Sequence, residues 1–378
     1  MKDVNKKIPM FGIYRDAAMD AAALGVLKSG QIAAGPYVNQ FGDAFAALAG
    51  RERMVTVNDM SSAILMALRL AGVGAGDEVL TASYACMSTN APIANIGAKP
   101  VWVDVDAHTG LMDPAALERA ISPKSKAVIV YHLAGYPAAI HRIAQICQAR
   151  GLQLIEDCDN ALFATVGGEQ VGGFGDFGIY SFYPNRQINA TEGGALYCRR
   201  EEDAGRAVLM RRYGIDLTRF RDALGEINAE CDIPEIGWAA TLNNLCSAVG
   251  CTQLEGAPHR VARARAVAAR YQEAFADLAG VSVVAPNPDA VPAYWAFLLT
   301  VDQRDDVLSA MKQDGVQVSK LHHRTDLYSG FGVPSATLPQ TQSFLDRVLA
   351  LPCGWWLDDD DVEYVIATLN RAVGALAA

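Results

Sequence analysis

Four stretches of the chain carry side chains able to do chemistry. In Ile155-Glu-Asp-Cys-Asp-Asn-Ala161, two carboxylates follow directly on an apolar run. An open α/β sheet builds its ligand site at that kind of position, beyond the carboxyl end of a strand. The plain alternative is a helix N-cap, a role that Asp159 and Asn160 also suit. Val57-Asn-Asp-Met-Ser-Ser-Ala63 follows another short apolar run and opens a helix. Free N–H groups and the helix dipole make an anion site there, with the Ser61 hydroxyl beside Met60. The alternative is a capped helix that holds nothing. The third stretch, Ser181–Gly194, contains Arg186. A guanidinium, with a pKa above ~12, is neither an amine nucleophile nor a general base near neutral pH. It can still grip a phosphate or carboxylate through a forked contact. The fourth, Ser319-Lys-Leu-His-His-Arg-Thr-Asp326, offers His322, His323 and Arg324 as phosphate ligands or as an acid and base. Its alternative is a solvated loop.

These stretches need a scaffold, and the apolar periodicity supplies one. Val38, Phe41, Phe45 and Leu48 recur at helical spacing before Gly50. Short apolar runs at 54–57, 78–81, 100–103, 127–130 and 153–155 read as strands. Segments 61–71, 88–96, 113–121 and 138–150 read as the helices between them, with Asp59 or Ser61 capping the first. This alternation predicts an α/β fold with a mostly parallel sheet and helices on both faces. A further strand at 177–182 leads into the Arg186 loop. The pattern changes near residue 255. One long Ala- and Arg-rich helix at 257–278 precedes strands at 281–285 and 294–301, a helix at 304–314 and a last helix from Asp360. Residues 1–255 are therefore read as a large α/β domain with an N-terminal helical arm. Residues 256–378 are read as a smaller α+β domain.

At 378 residues the chain is long enough for both. A 51% hydrophobic and 20% charged composition suits a large core. The formal net charge of −10 argues against a general nucleic-acid or anionic-membrane surface. No apolar run reaches the ~20 residues that span a membrane. The start, Met1-Lys-Asp-Val-Asn-Lys-Lys, precedes no apolar leader core. The eight cysteines form no C-x-x-C pair, so no metal centre is expected. They read as small buried residues of a cytoplasmic protein.

The whole segment Ser181-Phe-Tyr-Pro-Asn-Arg-Gln-Ile-Asn-Ala-Thr-Glu-Gly-Gly194 resembles the active-site segment of the DegT family of pyridoxal-phosphate (PLP) sugar aminotransferases. Gly97-Ala-Lys-Pro-Val-Trp-Val-Asp104 and Leu351-Pro352 extend the likeness, which runs from about Phe11 to the last helix. It implies a fold type I aminotransferase-like architecture, a homodimer with sites at the interface, and nucleotide-linked keto-sugars as typical substrates. It implies that Asp157 pairs with the cofactor's pyridine nitrogen, that Asn160 is a cofactor residue beside it, and that Ser181 contacts the phosphate. Met60-Ser61 stand where the family has a Gly-Thr phosphate cradle. Cys86, in Ala82-Ser-Tyr-Ala-Cys-Met-Ser-Thr89, stands where many relatives place an aromatic over the ring, and it also reads as a small buried residue. Ala239 and Thr241 stand where a neighbouring subunit supplies an Asn and often an Arg or Lys. The loop at 319–326 corresponds to one that reaches the substrate.

Arg186 occupies the position of the lysine that binds PLP covalently. No lysine occurs between Lys126 and Lys312, which leaves Lys320 as the one stand-in. Three readings follow. The first is an enzyme acting on a keto-sugar or related small molecule through PLP or pyridoxamine phosphate (PMP) held non-covalently, without an internal aldimine. Arg186, His322 and His323 are then the catalytic candidates, and a PMP-dependent sugar dehydratase is the variant in one branch of the family. The second is an enzyme that has abandoned PLP. The third is a non-catalytic sugar-nucleotide-binding partner of an active paralogue.

Overall fold

The computed structural model describes residues 6–377. The first five residues of the stretch read for a leader, and residue 378, lie outside that range. The elements in chain order are α1 Ala17–Ser29, α2 Tyr37–Leu48, β1 Met54–Val57, α3 Met60–Leu70, β2 Glu78–Ala82, α4 Met87–Asn95, β3 Lys99–Val103, α5 Pro114–Ala120, β4 Ser125–Tyr131, α6 Ile140–Arg150 and β5 Gln153–Asp157. Next come β6 Thr165–Val166, β7 Glu169–Gln170, β8 Phe177–Ser181, β9 Gly194–Cys198, α7 Glu201–Met210, α8 Asn244–Cys251 and α9 Ala257–Phe275. The chain ends with β10 Val281–Val283, β11 Ala290–Val291, β12 Phe297–Val301, α10 Arg304–Gln313, α11 Pro339–Arg347, β13 Val348–Leu351 and α12 Asp359–Ala377.

Seven strands form the main sheet in the order β1-β9-β8-β5-β4-β2-β3. The run from β8 to β3 is parallel, and β9 is antiparallel to both β8 and β1. Its inner strands bury both faces, as parallel sheets covered by helices do. Ala127, Ile129, Ile155, Phe177 and Ile179 face one layer with α3, while Val128, Val130, Leu154 and Tyr180 face the other with α2 and α6. This two-residue alternation splits the core into two bodies separated by one sheet.

Register brings the chemically interesting residues to one edge. Tyr131 pairs in register with Asp157, and Asp157 with Ile179. Ser181 pairs with Gly194, and Gly194 with Val57, so α3 starts at the same edge. A Cβ on Gly194 would lie 2.9 Å from the Asp59 carbonyl carbon and the Met60 nitrogen. Glycine at 194 thus lets the helix start press against the sheet.

The C-terminal region builds a second sheet, β10-β12-β13, with α9 to α12 around it. Several backbone contacts tie it to the rest. β11 pairs with β6, and Ile8 bridges Val316. Gly135, at φ +89°, passes so close to Asn160 O and Tyr294 N that a side chain there would clash with both. That approach seats Trp295 against the end of the large sheet, its amide donating to Ala134 O at 2.9 Å.

Candidate active site

A cavity of about 260 Å³ opens at this edge, lined by Asp59, Met60, Ser61, Cys86, Ser88, Ser181, Tyr183, Arg186 and Glu192. The structure therefore brings Met60, Ser61, Cys86, Ser181 and Arg186 together. Asp157 and Asn160 lie behind the wall, 0% and 1% exposed. His322 is half-buried and does not line the cavity, and His323 is exposed against the Tyr328 ring.

At one end, Asp59 caps α3 by accepting from the Ser62 amide at 2.8 Å and the Ser62 hydroxyl at 2.9 Å. The amides of Met60 and Ser61 meet no acceptor among the described residues. The helix dipole adds to their pull on an anion. The hydroxyls of Ser61, Ser88 and Ser181 complete this polar end, and the Met60 side chain is buried. Partial burial, and then the nearby Asp59, raise the Glu192 carboxyl pKa from its ordinary value.

At the other end stands Arg186, which overturns one expectation. Its side-on fork is taken by the protein and is not left for a ligand anion. Nε and Nη2 both donate to the Asp159 carboxylate, the second at 2.8 Å, and Nη1 donates to Asn185 Oδ1. The guanidinium also lies 4.7 Å from the centre of the Trp295 ring, whose Nε1 donates to Asn185 O. The Asp159 side chain is 1% exposed. Desolvation opposes the Arg186 charge, but Asp159 outweighs it and the guanidinium pKa rises. Arg324 is likewise engaged, by Asp326 and Ala336 O of its own loop and by Gln342 of α11. Lys320 Nζ pairs with Asp305 at 2.6 Å and does not line the cavity, so it is no stand-in for a site lysine.

Behind Arg186 lies a hydrogen-bonded cluster. Asp157 accepts from the Thr89 hydroxyl at 2.7 Å and the Asp159 amide at 3.1 Å. Burial first, and the Asp159 charge second, push its pKa up to about 7. The Tyr131 hydroxyl meets Asn160 Nδ2 and, at 3.1 Å, His322 Nε2. Burial holds His322 down at about 4, so the ring is neutral at pH 7. Asn160 Oδ1 has no partner among the described residues. Whichever way the amide is turned, one of its ends faces nothing. Thr191, Tyr294 and Leu321 adopt positive φ. Each immediately precedes a site residue, namely Glu192, Trp295 or His322, so the surrounding fold must hold these three turns.

Tyr131, Thr89 and Trp295 were not singled out by sequence reasoning, Asp159 was read only as a possible cap, and Glu192 only as part of the matching segment. Asp159 carried a usable signal, since an arginine in an apolar context requires a nearby acid. Tyr131 was hidden at the end of an apolar run.

One further set of buried groups has ligand atoms within 4.8 Å of one another, namely His132, Glu156 and Cys158. His132 Nδ1 accepts from the Ala138 amide, which leaves the proton on Nε2 pointing at Glu156. Glu156 also accepts from the Gly172 and Gly175 amides. These polar groups are satisfied by the fold itself and brace the 172–175 loop.

The family model for DegT/DnrJ/EryC1/StrS aminotransferases matches residues 14–370. The chain belongs to this family. It is 30% identical over 358 residues to the spore coat polysaccharide biosynthesis protein SpsC of Bacillus subtilis (strain 168), covering 92% of each chain. Among solved structures, AtS13 of Actinomadura melliaura superposes with a TM-score of 0.92 at 32% identity, covering 97% of this chain and 99% of that one. The sugar aminotransferase CalS13 of Micromonospora echinospora gives 0.91 at 30%, covering 96% and 99%. The family is one of PLP-dependent sugar aminotransferases, and the main sheet with its C-terminal sheet is the architecture of these enzymes. Among the described residues, no helix is long and apolar enough to cross a membrane.

Proposed function

We propose that this DegT-family chain holds PMP or PLP without a covalent bond and acts on a keto-sugar, with nucleotide-linked sugars as the substrate class. The observation that carries the reading is at position 186, where the side chain is a guanidinium paired with Asp159 and, among the described residues, no lysine amine lines the cavity. The residues present fit a phosphate-bearing heterocycle. The vacant amides of Met60 and Ser61, with the hydroxyls of Ser61, Ser88 and Ser181, would hold the phosphate. Asp157 would face the ring nitrogen, and the unpartnered end of Asn160 a polar substituent of the ring. Such a cofactor supplies an amine or aldehyde and an electron-accepting ring.

The chain's own residues then divide the work. Asp157, near half-ionised at neutral pH when unpaired, gains a cationic partner and stays charged. Arg186 cannot move protons. Neutral His322, joined to the Tyr131 hydroxyl, is the group able to take or return one, with His323 outside at the surface. Cys86 packs at the cavity wall in place of an aromatic.

A second reading, a cofactor-free sugar-nucleotide-binding partner of an active paralogue, is favoured by the Asp59 and Glu192 carboxylates on the cavity wall. Calorimetric titration with PMP separates the two. One PMP bound per chain, weakened tenfold or more by Asp157→Ala, supports the first reading, and absence of binding supports the second. A homodimer is also proposed, because exposed Leu24, Leu27, Ile32, Val208, Leu217 and Ile236 give the chain apolar surface to cover. Light scattering at micromolar concentration checks it, and a monomer there would contradict it.

A further inference from the structure

We infer that Asp159 is the residue that keeps position 186 closed to covalent cofactor chemistry, so that a lysine placed there would be held as an unreactive ammonium until Asp159 is also removed. The inference rests on the reading above, in which this cavity takes PLP or PMP.

The geometry is a buried pair whose acidic member is also anchored through its backbone. The Asp159 backbone amide donates to Asp157 Oδ1 at 3.1 Å, and its side chain is 1% exposed. Both carboxylate oxygens point at position 186 and accept from Arg186 Nε and Nη2. Asn185 of the same loop, and Trp295, Tyr131 and Cys86 from elsewhere in the fold, surround the guanidinium. Within this set Asp159 is the group that supplies negative charge to Arg186 at hydrogen-bond distance. The Asp159 charge also acts on Asp157, Tyr131 and His322. One carboxylate therefore biases the charge of the whole inner wall.

A lysine at 186 would enter the same field. An adjacent carboxylate favours an ammonium by about 1–3 pKa units, which means roughly ten- to thousand-fold less free amine. Only the free amine reacts. Its lone pair attacks the PLP aldehyde carbon, Nζ gives up its protons as the C=N bond forms, and the aldehyde oxygen leaves as water. Without Asp159 the same buried setting favours the neutral amine, because desolvation then acts unopposed. Removing Asp159 also relieves Asp157 of a like charge, so that Asp157 ionises more readily opposite a cationic ring nitrogen. Asp159 is thus a positioning residue acting through residue 186.

The test compares Arg186→Lys with Arg186→Lys/Asp159→Asn, the second change keeping side-chain volume. Each full-length protein is mixed with PLP and reduced with borohydride, and the peptide containing residue 186 is weighed. The double variant should carry close to one pyridoxyl group per chain at residue 186, and the single variant at least tenfold less. Calorimetry with PMP, which carries an amine and cannot form the bond, is run alongside. PMP binding to both variants with full labelling of the single variant, or labelling of neither, overturns the role of Asp159 while leaving the cofactor reading intact. PMP binding to neither variant overturns both. Circular dichroism monitors folding. Should the asparagine variant not fold, Arg186→Lys/Asp159→Ala takes its place, with the same outcomes deciding.

Discussion

At one end of the cavity, α3 begins with two amides that meet no acceptor among the described residues, and Ser61, Ser88 and Ser181 line the same space. At the other, Arg186 gives its side-on fork, Nε and Nη2, to the Asp159 carboxylate. The first end leaves two backbone donors without a partner among the described residues. The second is self-sufficient. The difference separates binding from chemistry within one pocket. A phosphate-bearing ligand gains from the α3 end whatever happens at position 186. The Arg186–Asp159 end decides only whether that ligand can be bonded to the chain. A similar contrast divides the neighbouring carboxylates of β5. Glu156 accepts from two glycine amides and His132 and is structural, whereas Asp157 accepts from Thr89 and one amide and is pushed up to about 7.

The contrast breaks first, and by the largest margin, at Asp159. Asp159→Ala leaves a buried guanidinium unpaired and should destabilise the fold by about 3–5 kcal/mol in urea unfolding. Replacing both partners, as in Arg186→Met/Asp159→Leu, should recover most of that loss. A loss below about 1 kcal/mol in the single variant would show that the pair is not closed as described.

A second test uses pH, and the signs differ between two members of the inner wall. His322 takes a proton near 6.5 when unfolded but only near 4 when folded. Its contribution to stability is whole above pH 6.5 and lost as pH falls to 4, by no more than about 3 kcal/mol. Asp157 runs the other way. Its folded pKa of about 7 lies above the usual 3.8, so its contribution is whole below pH 4 and lost as pH rises to 7. The two slopes oppose each other in one window. His322→Asn should remove the acid-side loss and leave stability falling steadily from pH 4 to 7, as read from denaturation midpoints. An unchanged profile would mean that His322 is not held neutral by burial.

The smallest effects belong to the α3 end. Ser61→Ala and Ser181→Ala should each weaken PMP binding about three- to tenfold, the worth of one hydrogen bond. Unfolding stability should stay within about 0.5 kcal/mol of the parent protein. A large stability loss with unchanged PMP binding would reverse the assignment of the two ends.

How legible was this arrangement in the sequence? The strands from β1 to β5 and the helices between them were, because apolar runs and helical spacing report burial directly. The cap at Asp59 was legible as well. The stretch from β9 through α7 to α8 was not, since residues 211–243 between those helices carry almost no regular structure and little periodicity. The Arg186 position stood out in its segment, yet the Arg186–Asp159 pair did not. Its partners are 27 residues apart, and nothing local tells that their side chains meet. Asp159 looked like a cap because Asp is a good cap. Tyr131 looked like core because β4 is apolar, and register alone sets it beside Asp157. The β11–β6 pairing is similarly silent, as two-residue strands leave no pattern to read.

The measurement that bears most directly on the central claim treats the unmodified protein with PLP, follows binding by calorimetry, reduces with borohydride and maps any pyridoxyl group by mass spectrometry. The account predicts about one reversibly bound cofactor per chain and no stoichiometric pyridoxyl group on any residue. A stoichiometric adduct on a single lysine, Lys320 included, would contradict it.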